Sequence, residues 1–185
     1  MSHALWFVIE TLGSLLASAA LLRALAWRCG VSPRDPVNRF VMAATDWLVK
    51  PLRRALPLSR TQDWASVAAA AVIAAVIAVV WALLFRGLAS VPEVVLPLSV
   101  YWLLKWAIHL LMGLVLLQAL MSWINPRAPI APTVERLTTP FLAPLQRMIP
   151  LVGGVDLSPI ALLLLAQLVL ALLESLFVWS AASLG

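Results

Sequence analysis

Four stretches of the chain, roughly 4–27, 64–85, 95–124 and 157–180, are almost unbroken runs of apolar residues. Each reaches or exceeds the ~20 residues with which a helix crosses ~30 Å of hydrocarbon. This one feature removes most of the choices open to 185 residues. A run of that kind has no water to satisfy its backbone, so every N–H and C=O must pair within the segment, and a helix does that. A barrel would instead read as ten-residue alternating strands, which this chain lacks. Composition agrees. Hydrophobic residues make up 63% of the chain and charged residues 11%, against about half and a quarter in soluble domains. Too little polar surface remains to cover a water-soluble core. The expected fold is an all-α membrane protein with four transmembrane helices, in one membrane domain over 1–185. Ala17-Ser18-Ala19 resembles a leader cleavage site. No basic residue precedes it and Glu10 interrupts the run, so the segment is expected to stay as a span.

Basic residues orient the spans. The 28–63 connection holds Arg28, Arg34, Arg39, Lys50, Arg53, Arg54 and Arg60, and the 125–156 connection holds Arg127, Arg136 and Arg147. The 86–94 connection has only Arg86. The positive-inside rule then puts both long connections in the cytoplasm and both termini on the outer side of a multi-pass membrane protein. Trp6, Trp81, Trp102 and Trp179 fall toward the outer interface, and Trp27, Trp64 and Trp123 toward the inner one, as an aromatic belt requires.

The two long connections resemble each other. Residues 51–63 read PLRRALPLSRTQD and residues 144–156 read PLQRMIPLVGGVD. Over 33–63 against 126–156, 11 of 31 positions are identical at an offset of 93 without a gap. They include Pro51/Pro144, Arg54/Arg147, Pro57/Pro150 and Asp63/Asp156. The chain therefore reads as two parallel helix–loop–helix repeats, 1–93 and 94–185, about an axis along the membrane normal. Asp35-Pro36 predicts a helix start. Val37, Phe40, Val41, Ala44, Leu48, Leu52 and Ala55 follow at helical spacing, with Arg39, Asp46, Lys50 and Arg53 opposite. This pattern predicts an amphipathic helix lying in the interface of an anionic leaflet, broken at Pro51. Val134, Leu137, Phe141, Leu145 and Met148 repeat the plan, with Pro140 and Pro144 as kinks. Pro150 is expected to stop that helix and Gly153-Gly154 to allow the reversal. Asp63 and Asp156 are expected to cap the returning spans, with Arg54 and Arg147 available to pair with them.

Residues 140–159, PFLAPLQRMIPLVGGVDLSP, resemble the signature of the YggT family of small bacterial membrane proteins. Pro144, Arg147, Pro150, Gly153, Gly154, Asp156, Ser158 and Pro159 carry the match, and the two-copy plan is similar to the duplicated bacterial members. The first copy departs from the motif, since LSRTQDWAS stands where the second has the glycine pair and Ser-Pro. The resemblance implies an integral inner-membrane protein with links to osmotic adaptation, to division or nucleoid organisation and, in plastid relatives, to assembly of a cytochrome b complex.

Catalysis has little to draw on. Cys29 is the only cysteine, His3 and His109 are far apart, and no phosphate-binding or dinucleotide fingerprint occurs. Ser66 and Ser158 have no base near them in sequence. No enzyme activity, cofactor, metal or nucleic-acid binding is expected. The unusual residues are ionisable ones inside spans: Glu10, Lys105, His109 and Glu174. Tyr101, Lys105 and His109 share a stripe at i, i+4 and i+8, and Glu10, Lys105 and Glu174 fall at comparable depth, so an intramembrane cluster is geometrically reasonable. It is expected to be structural or to form an ion or proton path. Arg23 lies near the cytoplasmic end and is expected to snorkel. Small residues at Ala68–Ala71, Ala74, Ala75 and Ala78 permit close helix contact within the bundle or between chains. Two functions stay open. One is a scaffold or assembly factor that presents basic interfacial helices to anionic lipid and to a membrane or division protein. The other is a small transporter or channel component, as a homo-oligomer, serving osmotic or ion homeostasis.

Overall fold

The structure is a computed structural model that describes residues 2–56, 59, 61–125, 127–149 and 156–183. Among them all regular structure is helical: α1 (Ser2–Arg28), α2 (Pro36–Ala55), α3 (Trp64–Phe85), α4 (Val91–Ile124), α5 (Ala131–Met148) and α6 (Ser158–Ser183), with a 3₁₀ turn at Leu88–Ser90 before α4. Four segments are long and apolar enough to cross a membrane: Ala4–Arg28, Trp64–Phe85, Leu88–Ile124 and Ser158–Phe177. The chain is a membrane protein. The third span begins earlier than its apolar run suggested. Pro92 falls in the first turn of α4, where no intrahelical N–H bond is lost, and Pro97 is accommodated six residues in. Pro51 likewise does not break α2, which runs through it to Ala55, and α5 runs through Pro140 and Pro144. Each proline forfeits one backbone bond; tertiary packing of the buried face holds the remainder.

The fold divides into two units, Met1–Ala107 and Ile108–Gly185, with the division inside α4. In the first, α1 and α3 run antiparallel. Trp6 meets Phe85 edge-on at one end, with ring centroids 5.9 Å apart, and Arg23 approaches Asp63 at the other. The contact between them is built from small residues. Ala17, Ala20 and Ala24 of α1 are buried, as are Ala69, Ala70, Ala74, Ala78 and Ala82 of α3. Lipid gives little hydrophobic drive between helices, so close backbone approach and dispersion hold such a pair. At Gly13 the approach leaves no room for a side chain. A Cβ there would run into Ile77 Cδ1 and sit 3.1 Å from Cγ1. Toward the same end as Trp6, an aromatic stack ties the start of α4 to α1: Trp6 to Trp102 at 5.6 Å, then Trp102 to Trp106 at 6.2 Å.

α2 packs against both α1 and α3 through Asn38, Val41, Thr45 and Val49. This stripe differs from the expected one. Phe40 is 76% exposed, and two polar residues, Asn38 and Thr45, are buried in its place. Their hydrogen bonds explain the difference. The Asn38 amide donates to the carbonyls of Val31 and Ser32 at 3.3 and 3.2 Å, and the Thr45 hydroxyl donates to the Val41 carbonyl at 2.8 Å. In the second unit Val115, Leu142 and Leu162 form a core with Leu111, Leu145 and Leu163 around it.

Overpacking a tight helix contact costs about 1–3 kcal/mol. Gly13→Ala should therefore lower the thermal midpoint in mild detergent. Ile77→Val removes the terminal methyl that the new Cβ meets and leaves only the 3.1 Å approach to Cγ1, so the same Gly13→Ala change made in an Ile77→Val background should cost markedly less. An equal loss in both backgrounds would show that Ile77 does not set the spacing.

Candidate functional site

The polar residues of the first unit converge where α2 meets the ends of α1 and α3. Arg23 is at the centre and only 4% exposed. An arginine so placed on an apolar helix has lost its hydration and must find partners. Nη1 donates to Asp46 Oδ1 at 2.8 Å and to the Thr45 hydroxyl at 3.0 Å, and Nε lies 3.8 Å from Asp63 Oδ2. Arg23 does not snorkel. Its α1 position, on the stripe that continues Ala17 and Ala20, turns it into the helix junction rather than toward the aqueous end.

Asp63, 5% exposed, is the second centre. Its carboxylate accepts from Arg53 Nη2 at 2.6 Å, from the Ser66 hydroxyl at 2.7 Å and from the Ser66 N–H at 3.4 Å, and so caps α3. The arginine that reaches it is Arg53, not Arg54. Arg53 continues the buried stripe one turn beyond Val49, whereas Arg54 is rotated a further 100° and is exposed. The Arg53 guanidinium also lies over the Trp27 ring, 5.7 Å from its centroid, and Trp27 Nε1 donates to the Ser59 carbonyl. Lys50 closes the network on Asp46 at 2.8 Å. The Lys50 hydrogen bond, with Arg23 behind it, holds the Asp46 carboxyl below its ordinary value of 3.8 despite some desolvation. Burial pushes the Cys29 thiol up, with Arg28 opposing.

The second unit arranges the corresponding positions without cations. Counting 93 residues on, Leu116 stands for Arg23, Thr139 for Asp46, Ala143 for Lys50 and Gln146 for Arg53, while Asp156 retains the carboxylate of Asp63. Gln146 Nε2 donates to Asp156 Oδ2 at 2.8 Å, across the same ten-residue separation as Arg53 and Asp63. Here too the reach comes from position 146 rather than Arg147. The Ser158 N–H donates to Asp156 Oδ1 at 2.8 Å. Burial pushes the Asp156 carboxyl up, but the bonds from Ser158 and Gln146 outweigh it and leave it lowered. Thr138, fully buried like Thr45, donates to the Gln118 side chain of α4. α2 has an Asp35 cap, bonding the N–H groups of Val37 and Asn38, but Ala128 stands at the matching position and α5 has no side-chain cap.

Of the remaining motif residues, Pro57, Pro150, Gly153 and Gly154 lie outside the described residues, as do the side chains of His3 and Trp179. Pro51 and Pro144 sit within α2 and α5, and Pro159 in the first turn of α6. In the spans, Glu10 and Lys105 are half-buried, and His109 and Glu174 are exposed on their own helices. Lys105 Nζ donates to Tyr101 Oη at 3.4 Å and lies 5.6 Å from the centroid of its ring. Among the described residues no group of His, Cys, Asp and Glu is placed to hold a metal. Arg23 was not legible as a site residue because hydropathy reads it as an end-of-span charge, and Arg53 because spacing puts it on the charged side of α2. The signal that pointed toward them was Thr45, a polar residue repeated at 138 inside an otherwise apolar stripe.

Comparison with known proteins finds the CCB3/YggT family model matching twice, over residues 2–84 and 97–177. A protein from the proC 3′ region of Vibrio alginolyticus is 34% identical over 158 residues, 84% of this chain and 85% of its own length. The YggT protein of Escherichia coli K12 is 30% identical over 168 residues, 90% of this chain and 87% of its own. A Haemophilus influenzae protein is 29% identical over 175 residues, 92% of this chain and 93% of its own. No solved structure matches.

Removing one member of a buried ion pair typically costs about 3–5 kcal/mol, because the other charge is stranded. Arg23→Met should lose stability on that scale. Arg53→Gln should cost less, since Arg53 is 29% exposed against 5% for Arg23, the amide can keep a hydrogen bond to Asp63, and Arg23 still lies 3.8 Å from that carboxylate. Thermal unfolding in one detergent ranks the two, and equal losses would remove the assignment of Arg23 as the centre.

A lowered carboxylate contributes stability above its unfolded value that disappears as pH falls through the native one. For Asp46 the contribution is complete at neutral pH and is lost below 3.8. The stability gap between wild type and Asp46→Asn should hold constant from pH 7 to pH 5 and close below 3.8. A gap that persists into strong acid would mean that the Asp46 charge contributes nothing.

Proposed function

The chain belongs to the CCB3/YggT family, and from that premise we propose that it is a non-enzymatic scaffold of the bacterial inner membrane. Its two connecting helices present basic, partly apolar surfaces to anionic lipid and to a membrane or division protein. The two family matches, 2–84 and 97–177, support reading it as duplicated halves, each a span, an interfacial helix and a returning span. The bias of basic residues toward the 28–63 and 125–156 connections supports placing both in the cytoplasm and both termini in the periplasm.

The observation that carries the reading is the outward surface of α2. Trp47 is 64% exposed on a helix whose opposite side is fixed to two spans by ion pairs. Tryptophan is enriched among the residues that anchor partner interfaces. Arg39, Lys50 and Arg54 surround it with positive charge suited to an anionic leaflet. The ionic network beneath serves to hold this surface still.

The intramembrane charges Glu10, Lys105, His109 and Glu174 favour a second reading, a small transporter or channel component acting as a homo-oligomer. One comparison separates the two. Trp47→Ser should reduce recovery of a stoichiometric partner protein in mild detergent by about tenfold, the equivalent of 1.4 kcal/mol, with the chain still folded. Lys105→Met should leave that recovery intact. Ion flux by the purified chain in liposomes, abolished by Lys105→Met, would replace the scaffold with the transporter.

A further inference from the structure

The side of α2 turned away from α1 and α3 carries a groove of about 560 Å³, lined by Pro33, Pro36, Arg39, Phe40, Ala43 and Asp46. We propose that it holds one membrane phospholipid, with the phosphodiester on Arg39 and the glycerol and first acyl carbons against Phe40 and the two prolines. The proposal rests on α2 lying at the membrane surface, and it goes beyond a diffuse attraction of basic residues to anionic lipid. It assigns a single site to named side chains.

Charge selects the ligand. Asp46 is the one acidic group in the groove, and Arg23 and Lys50 already engage its two oxygens at 2.8 Å each. Arg39, four residues from Ala43 and seven from Asp46, lies on the same strip of helix and is in none of the ion pairs found among the described residues. The groove thus carries net positive charge at a guanidinium whose fork matches two phosphate oxygens. Shape selects the source. Pro33 and Pro36 have no N–H to offer, and Phe40 is 76% exposed, so apart from Asp46 the walls beside the guanidinium are mostly apolar. Inorganic phosphate would use Arg39 and leave those walls wet. A lipid, whose phosphate joins directly to apolar carbon, uses both. The volume lies within the range of ligand sites and suits a headgroup with its glycerol.

The second unit provides an internal control. At the matching positions Pro132 stands for Arg39, Thr133 for Phe40 and Thr139 for Asp46. Thr133 is buried where Phe40 is exposed. The residues of α5 at these positions do not reproduce the cation and the exposed ring, so the expected stoichiometry is one lipid per chain.

The test uses the full chain, delipidated in mild detergent, titrated with phosphatidylglycerol and read by native mass spectrometry. Wild type should retain one lipid that survives high salt. Arg39→Gln should weaken that binding about tenfold, the equivalent of one lost charge-assisted bond. Phe40→Ser should weaken it as well, and Arg136→Gln on α5 should not. Millimolar inorganic phosphate should fail to displace the lipid. Equal retention by wild type and Arg39→Gln would overturn the site, while salt-sensitive, non-stoichiometric binding by both would still leave α2 as a membrane-surface helix. Absence of any lipid binding by wild type would instead remove the surface placement itself. Displacement by phosphate alone would reduce the site to an ion site, and displacement by an acidic peptide of a partner would reassign it to a protein; either result overturns the lipid.

Discussion

A single desolvated guanidinium organises the first unit. Arg23 sits on an alanine-rich face where no water reaches it, and such a charge is tolerated only when its hydrogen bonds are supplied by protein. The supply comes from two different segments: Asp46 and Thr45 on α2, and Asp63 at the start of α3. Satisfying Arg23 therefore fixes three elements at one point. Nothing in the apolar packing of α1 on α3 would do that, since small residues allow the two helices to meet but do not specify where a connecting helix must lie.

The rest of the site follows from that point. With Asp63 drawn to the junction, its carboxylate caps α3 and accepts Arg53, which closes the C-terminal turn of α2 onto the returning span. Arg53 in turn covers Trp27 at the end of α1. α2 is thus held along its length, which leaves Trp47 and Phe40 on the outside with no contact to make within the unit's core. The exposed aromatics and the buried charges are two consequences of one helix orientation.

The second unit meets its carboxylate with neutral donors. Asp156 keeps its place, but an amide from Gln146 replaces the arginine, and Gln118 reaches Thr138 where the first unit used Arg23. α5 also lacks a side-chain cap and carries two interior prolines, where α2 has a cap and one. The two connecting helices share a pattern and differ in how firmly they are tied. The Gln146 amide makes a weaker contact with its carboxylate than the Arg53 guanidinium does, so the tie of α5 to the returning span is the weaker of the two.

Hydropathy alone determined the all-helical class and the four spans, because a long apolar run in lipid has only one way to satisfy its backbone. Asp35-Pro36 fixed where α2 begins, since the cap and the proline act through neighbours within one turn. The face that α2 buries could not be read the same way. Spacing favoured the stripe through Phe40, Val41, Ala44 and Leu48, and the structure kept Val41 but buried Asn38, Thr45 and Val49 beside it. The choice depends on hydrogen bonds to Arg23 and to the Val31 and Ser32 carbonyls, partners brought close only by folding. The same reason separates Arg53 from Arg54 and Gln146 from Arg147. Adjacent residues look alike in sequence, but on a helix they point 100° apart, and which one meets the carboxylate is decided by the helix's rotation against its neighbours.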